Sequence, residues 1–203
     1  PGGGLRPDRP AGTDPGGPGA AEGGRARPMR LLVSAFVPFG GRRVNASWEL
    51  ARRLPERVGR WRTRTVLLPV AHGRAWPVLA RAVQAFRPHA VLALGEAPGR
   101  RLRLERTAVD LRGRGDLSPI IPGGRSAYLS ALPLEALAAA LRRRGVPAET
   151  SLSAGTFLCN EVFYLLMRAH SQRAFPRGAG FVHVPRDAHR RMPGALRVLA
   201  AAL

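Results

Sequence analysis

The sequence predicts an α/β fold, a single-domain, three-layer α/β/α sandwich around a mostly parallel twisted sheet. Two observations predict it and a third bounds it. From Met29 onward, short apolar runs alternate with stretches of helical period, the pattern of a parallel sheet flanked by helices. The chain of 203 residues is 45% hydrophobic, enough for one respectable core. No apolar run approaches the roughly 18 residues that a membrane-spanning helix requires.

Residues 1–28 are dominated by Pro, Gly, Ala and Arg without hydrophobic period. They are expected to form a disordered tail, and they lack the apolar centre of a secretory signal. Met29 stands directly before the first convincing strand, at 31–36, and is expected to be the natural start. Further strands are expected at 63–70, 90–94, 149–152 and 180–184. Helices are expected at 47–54, 74–86, 134–144, 159–170 and 193–203. Arg87-Pro88 and Arg144-Gly145 supply stop signals after the second and third of these. The segment 112–125 reads as a Gly/Pro-rich loop, and no internal repeat of fixed period is present.

The formal net charge is +20, and all 33 cations are arginine. They are scattered rather than gathered into one block with interleaved aromatics, so a GC-rich coding bias explains them better than phosphate contacts, and no nucleic-acid partner is expected. The single cysteine excludes an intrachain disulfide framework and the multi-cysteine zinc patterns. A reducing compartment, the cytoplasm, fits that usage. Neither a metal nor an organic cofactor is expected.

That cysteine, Cys159, lies in Ala154-Gly155-Thr156-Phe157-Leu158-Cys159-Asn160 at the start of an expected helix. The unpaired N–H groups and positive dipole end of a helix favour a thiolate, so this position is expected to lower the sulfur's pKa. A histidine-bearing strand follows, Phe181-Val182-His183-Val184-Pro185. A thiol hydrolase needs a sulfur nucleophile, an imidazole to take and return its proton, and usually a third group that fixes the imidazole's tautomer. In open α/β sheets reactive groups gather at the carboxyl ends of strands, and Cys159 and His183 are both expected at that edge. For the third group Glu96, Glu105, Asp110, Asp116 and Asp187 are all available. Glu105 is the best placed, since it follows the 90–94 strand and its turn, Gly95-Glu96-Ala97-Pro98-Gly99-Arg100, and can return toward the same edge; the alternative is a solvated Glu105 paired with Arg103 or Arg106.

After the first strand, Phe36-Val37-Pro38-Phe39-Gly40-Gly41 brings two aromatic rings onto a flexible backbone. Such a slot suits a small planar group gripped by its faces, with backbone N–H or C=O groups orienting its amide. The alternative is a turn whose phenylalanines enter the core. Gly40-Gly41 lacks the spacing and the lysine of a phosphate-binding loop.

These stretches together resemble pyroglutamyl-peptidase I, the cysteine peptidases that remove N-terminal pyroglutamate. Residues 34–41 followed by Asn45-Ala46-Ser47-Trp48-Glu49 resemble the family's Gly-Phe-Asp-Pro-Phe-Gly-Gly and Asn-Pro-Ser-Trp-Glu opening. Residues 154–160 are similar to its Ala-Gly-Thr-Phe-Val-Cys-Asn, residues 180–185 to its histidine strand, and Leu104-Glu105-Arg106 with Ala108 to its glutamate segment. The resemblance implies that residues 29–203 are a pyroglutamyl-peptidase-like domain acting on peptides with N-terminal pyroglutamate. It implies Cys159 as nucleophile, His183 as general base and acid, and Glu105 as the group orienting His183. Phe36 and Phe39 would sandwich the lactam, and Glu96 would contact it through its main chain. A homo-oligomer is a further implication.

The sequence departs from the family at several points. Val37 replaces an aspartate, Asp110 an asparagine, and Glu161 stands where a histidine is common. The stretch between Glu105 and Tyr128 is shorter, and the family's Ala-Arg-Ile-Pro-Asp-Asn segment is missing from it, with Arg112 or Arg114 as replacements for its arginine. The alternatives are a family member that keeps the fold with lost or altered activity, another thiol amidase or esterase, and an arginine-driven nucleic-acid module.

Overall fold

The computed structural model describes residue 2 and residues 29–113, 115–173, 175 and 178–203. The tail expected over 1–28 lies outside the described residues apart from residue 2, as does Arg114.

The centre of the sheet follows from four apolar strands. β1 (Met29–Phe36) pairs in parallel with β3 (Trp61–Leu68) on one side and β4 (Ala90–Ala97) on the other. β4 pairs in parallel with β8 (Gly178–Pro185), which is buried along its whole length. A strand covered on both faces reads as a near-continuous apolar run, which is why β1, β4 and β8 were visible in the sequence, whereas β3 carries exposed Arg62 and Arg64. Beyond them, β2 (Arg57–Val58) adds antiparallel to β3. β5 (Leu102–Val109) runs antiparallel to β8 and to β6 (Ala127–Leu129), and parallel to β7 (Ala148–Ser153). The order is β2-β3-β1-β4-β8-β5-β6, with β7 beside β5.

Alternate side chains of these strands feed two apolar clusters, one on each face. Leu31, Val33, Leu92, Leu94, Val182 and Val184 pack with α1 (Ala46–Ala51), α3 (Leu134–Arg143) and α6 (Ala195–Ala202). Leu32, Phe36, Val91, Ala93 and Phe181 pack with α2 (Ala75–Phe86) and α4 (Leu158–Ser171). The result is the expected three layers. Each large apolar side chain so buried, such as Leu79, Phe163 or Leu166, contributes on the order of 1.5–3 kcal/mol.

The expected elements are present with shifted ends. The second long strand covers Trp61–Leu68 rather than 63–70. α1 stops at Ala51 rather than reaching 54, where Pro55 follows. α2 ends on Arg87 in the left-handed region, φ 48°, immediately before Pro88. Four elements escaped the sequence reading: β2, β5, β6 and α5 (Ala188–Arg191). β5 matters most, because it carries Glu105. Its run Leu-Arg-Leu-Glu-Arg-Thr-Ala-Val places charged side chains in a sheet interior, which hides it from any hydrophobic criterion.

The sheet is mixed at the site. Because β5 is antiparallel to β8 but parallel to β7, β7 runs opposite to β8. Cys159 therefore does not follow a strand parallel to β8, yet it reaches the same sheet edge as His183, against Gly95 near the carboxyl end of β4. Residues 154–157, with Gly155 at φ +80°, carry the chain from β7 to α4.

Candidate active site

β8 places His183 on the same sheet face as Phe181, toward α4, since Val182 and Val184 occupy the other face. β5 lies beside β8 in a register that pairs Arg103 with His183 and Glu105 with Phe181. Glu105 is thus a diagonal neighbour of His183, within reach of a long side chain. Its Oε1 lies 2.7 Å from His183 Nδ1. Both residues are buried, Glu105 completely. With Nδ1 donating to this carboxylate, the acceptor nitrogen of a neutral ring is Nε2. Glu105 Oε2 has no hydrogen-bond partner among the described residues, and Arg103 Nε lies 3.7 Å from Oε1.

Cys159 is the second residue of α4 and is half-buried. It lines, together with His183, a cavity of about 330 Å³ whose walls also include Phe36, Phe39, Glu96 and Phe157. Five of the six site residues expected from sequence meet in this cavity, and Glu105 stands behind His183. Phe36 is nearly buried, whereas Phe39 is 36% exposed. The Arg42 guanidinium covers Phe39, 4.4 Å from its ring centroid.

One expectation is overturned. Burial pushes the Cys159 thiol up to about 12, and the negative charge of Glu105 adds to the effect. A backbone hydrogen bond and Arg103 act in the opposite direction and do not prevail. Desolvation and the Glu105 charge outweigh that hydrogen bond and Arg103, so the thiol is favoured over the thiolate.

Strand parity also explains Glu96. Leu92, Leu94 and Glu96 are alternate residues of β4, and the two leucines pack in the cluster beneath α1. The Glu96 carboxylate is ion-paired with Arg42 and accepts the Ala46 N–H at 2.7 Å, so both its oxygens are engaged at the start of α1. Asp110 and Asp187 are engaged elsewhere. Asp110 accepts the Ile121 N–H at 2.8 Å, and Asp187 pairs with Arg191 at 3.3 Å. Of the five carboxylates open in the sequence, Glu105 is the one hydrogen-bonded to His183.

Three residues that shape the site were not picked out from sequence. Gly95 pairs with His183 across β4 and β8, and a Cβ added to it would lie 2.9 Å from Cys159 Sγ and 2.8 Å from Phe181 Cζ. Only glycine lets the sulfur come this close to the strand. Asn160 joins α4 to the end of β5: its Oδ1 accepts the Val109 N–H at 3.0 Å, and its Nδ2 donates to the Val109 and Leu111 carbonyls at 2.8 Å each. Glu161, fully buried, pairs with His72 and accepts the Gly73 N–H at 2.7 Å, fastening the turn after β3 to α4. His72 in turn meets the edge of Phe157, a wall of the cavity, at 5.0 Å between ring centroids. Arg112 lies 4.0 Å from Glu161. Asn160 was legible only as a neighbour of Cys159, and Glu161 only as a departure from the family's histidine.

Among the described residues, no group of three or more His, Cys, Asp or Glu is placed to hold a metal ion, and no helix is long and apolar enough to cross a membrane.

A cysteine at a helix start, a histidine on a central strand and a carboxylate bonded to that histidine define a cysteine-type hydrolase built on an α/β sheet. The comparisons narrow the class. The family model described as pyroglutamyl peptidase matches residues 29–190. Pyrrolidone-carboxylate peptidases from Gloeobacter violaceus and Chromobacterium violaceum are 41% and 42% identical, over 77% and 76% of this chain and 82% and 77% of theirs. Among solved structures, the pyroglutamyl peptidase I of Bacillus amyloliquefaciens superposes with a TM-score of 0.79 at 28% identity, covering 86% of this chain and 94% of its own. A mutant pyrrolidone carboxyl peptidase from Pyrococcus furiosus gives 0.78 at 30% identity, over 86% and 97%. The chain belongs to the pyroglutamyl peptidase family.

Proposed function

We propose that this protein removes N-terminal pyroglutamate from peptides by thiol catalysis at Cys159, with His183 as general base and acid and Glu105 orienting His183. The observation that carries the reading is the shared cavity of Cys159 and His183 with Glu105 held 2.7 Å behind the imidazole.

The raised thiol pKa shapes the first step. Sulfur does not wait as a free thiolate; its proton passes to His183 Nε2 as the sulfur attacks the pyroglutamyl carbonyl carbon. Glu105 stabilises the imidazolium so formed. The N–H groups of the first turn of α4, which lack helical partners, meet the negative charge gathering on the carbonyl oxygen. The C–N bond then breaks, and His183 gives its proton to the departing amine. Water attacks the resulting thioester with His183 again as base, releasing pyroglutamate and restoring the thiol.

Phe36 and Phe39 suit the two faces of the lactam ring, and the main chain of Glu96 suits its amide, since the Glu96 carboxylate is committed to Arg42 and Ala46. A thiol needed in reduced form also fits the cytoplasm.

The test is release of a chromophore from a pyroglutamyl-linked reporter by purified protein beside its Cys159→Ala variant. Turnover by the first and none by the second is expected; no turnover by either would remove the reading. A Phe36→Ala variant that raises KM for this reporter, and not for a plain ester, supports lactam recognition over a general esterase.

A further inference from the structure

Two more depressions share lining residues with the mouth of the catalytic cavity, and Arg186 borders all three. Arg186, three residues beyond His183, lines the catalytic cavity. It also lines a depression of about 560 Å³ with Arg100 and Arg191, and one of about 400 Å³ with Arg43 and Arg190. The acids beside them are few, Glu96 and Asp187, and each is paired with an arginine. Asp187 pairs with Arg191 at 3.3 Å, and the Glu96 carboxylate is buried against Arg42 and the Ala46 N–H. The side chain of Arg186 is 67% exposed, with its Nε 3.7 Å from Glu96 and no hydrogen bond to a described residue. Arg43, Arg100 and Arg190 form no ion pair with a described acid.

A substrate whose pyroglutamyl ring fills the Cys159 cavity must lead the rest of its chain out through this mouth. We propose that Arg186, with Arg100, selects pyroglutamyl peptides that carry a carboxylate immediately after the scissile bond. This rests on the peptidase reading above and names the substrate class within it. The recognised chemistry is the carboxylate itself, from either an acidic side chain or the free C-terminus of a short peptide. Guanidinium groups suit it because they offer paired N–H donors in the geometry of a carboxylate. Each exposed contact is weak, and the field of several cations at one mouth acts on both capture and orientation. Arginine in the position after pyroglutamate meets like charge and is disfavoured.

The experiment compares kcat/KM for four substrates: pyroglutamyl-alanine amide, pyroglutamyl-glutamate α-amide, pyroglutamyl-alanine with a free carboxylate, and pyroglutamyl-arginine amide. At low salt the glutamate amide and the free acid are expected to exceed the alanine amide by about fivefold or more, and the arginine amide to fall below it. The advantage is expected to shrink below about twofold at about 0.5 M salt and in the Arg100→Gln/Arg186→Gln variant. An advantage of the glutamate amide alone assigns the subsite to side chains; an advantage of the free acid alone assigns it to the C-terminus; either supports the proposal. Equal rates for all four, or a preference untouched by salt and by the arginine substitutions, overturn it. The salt titration uses the unaltered protein and so decides even if the variant fails to fold. Cleavage of the alanine amide without any preference removes this inference alone, whereas cleavage of none of the four removes the peptidase reading and this inference with it.

Discussion

Glu105 Oε1 accepts from His183 Nδ1 at 2.7 Å between two adjacent antiparallel strands, β5 and β8, from diagonal positions on one sheet face. The bond fixes the imidazole where the sheet fixes the strands, so catalysis depends on strand register as much as on residue type. Glu105→Gln keeps the shape and removes the charge that stabilises imidazolium. We expect kcat to fall by about 10³-fold with KM little changed, by analogy with triad carboxylates. Steady-state kinetics check this, and an unchanged kcat would deny Glu105 the orienting role.

Gly95→Ala tests the close approach of sulfur and strand. The added carbon would lie 2.9 Å from Cys159 Sγ and 2.8 Å from Phe181 Cζ, too near for either to remain in place. Overpacking of this kind costs about 1–3 kcal/mol. A lowered urea midpoint together with a large loss of kcat is the expected outcome.

Cys159 and His183, the proposed nucleophile and base, were legible in the sequence because each is chemically conspicuous: the chain has one cysteine, and His183 interrupts an apolar strand. Glu105 was one of five carboxylates until β5 was seen beside β8. Gly95 was not legible as part of the site because its contribution is a missing atom, and a missing atom has meaning only when Cys159 and Phe181 are known to stand above it. The direction of the Cys159 pKa was misjudged for a related reason. A helix start is visible in one dimension, and desolvation is not.

The pH dependence of Cys159 follows from burial. Its folded value, about 12, lies above the ordinary thiol value of 9.0, so keeping the thiol neutral contributes stability in full below about 9. That contribution is lost as pH rises from about 9 toward 12, where the unfolded chain ionises first. Alkylation of the free protein by iodoacetamide is expected to accelerate continuously through the alkaline range. A plateau already reached below about pH 7 would indicate a preformed thiolate instead.

Glu161 holds His72 and the Gly73 N–H from inside α4. Replacing it with alanine removes the buried carboxylate that holds the exposed His72 and Gly73, and frees the turn whose His72 abuts Phe157. A loss of about 1–3 kcal/mol in chemical denaturation is expected, accompanied by a higher KM. A variant with unaltered stability would show that the turn stands without this fastening.

The most direct measurement is the intact mass of protein quenched in acid during turnover of a pyroglutamyl substrate. A species heavier by one pyroglutamyl group is expected, with the adduct mapped to Cys159 and absent from Cys159→Ala. Sustained hydrolysis by Cys159→Ala, or an adduct on a different residue, would contradict catalysis at Cys159.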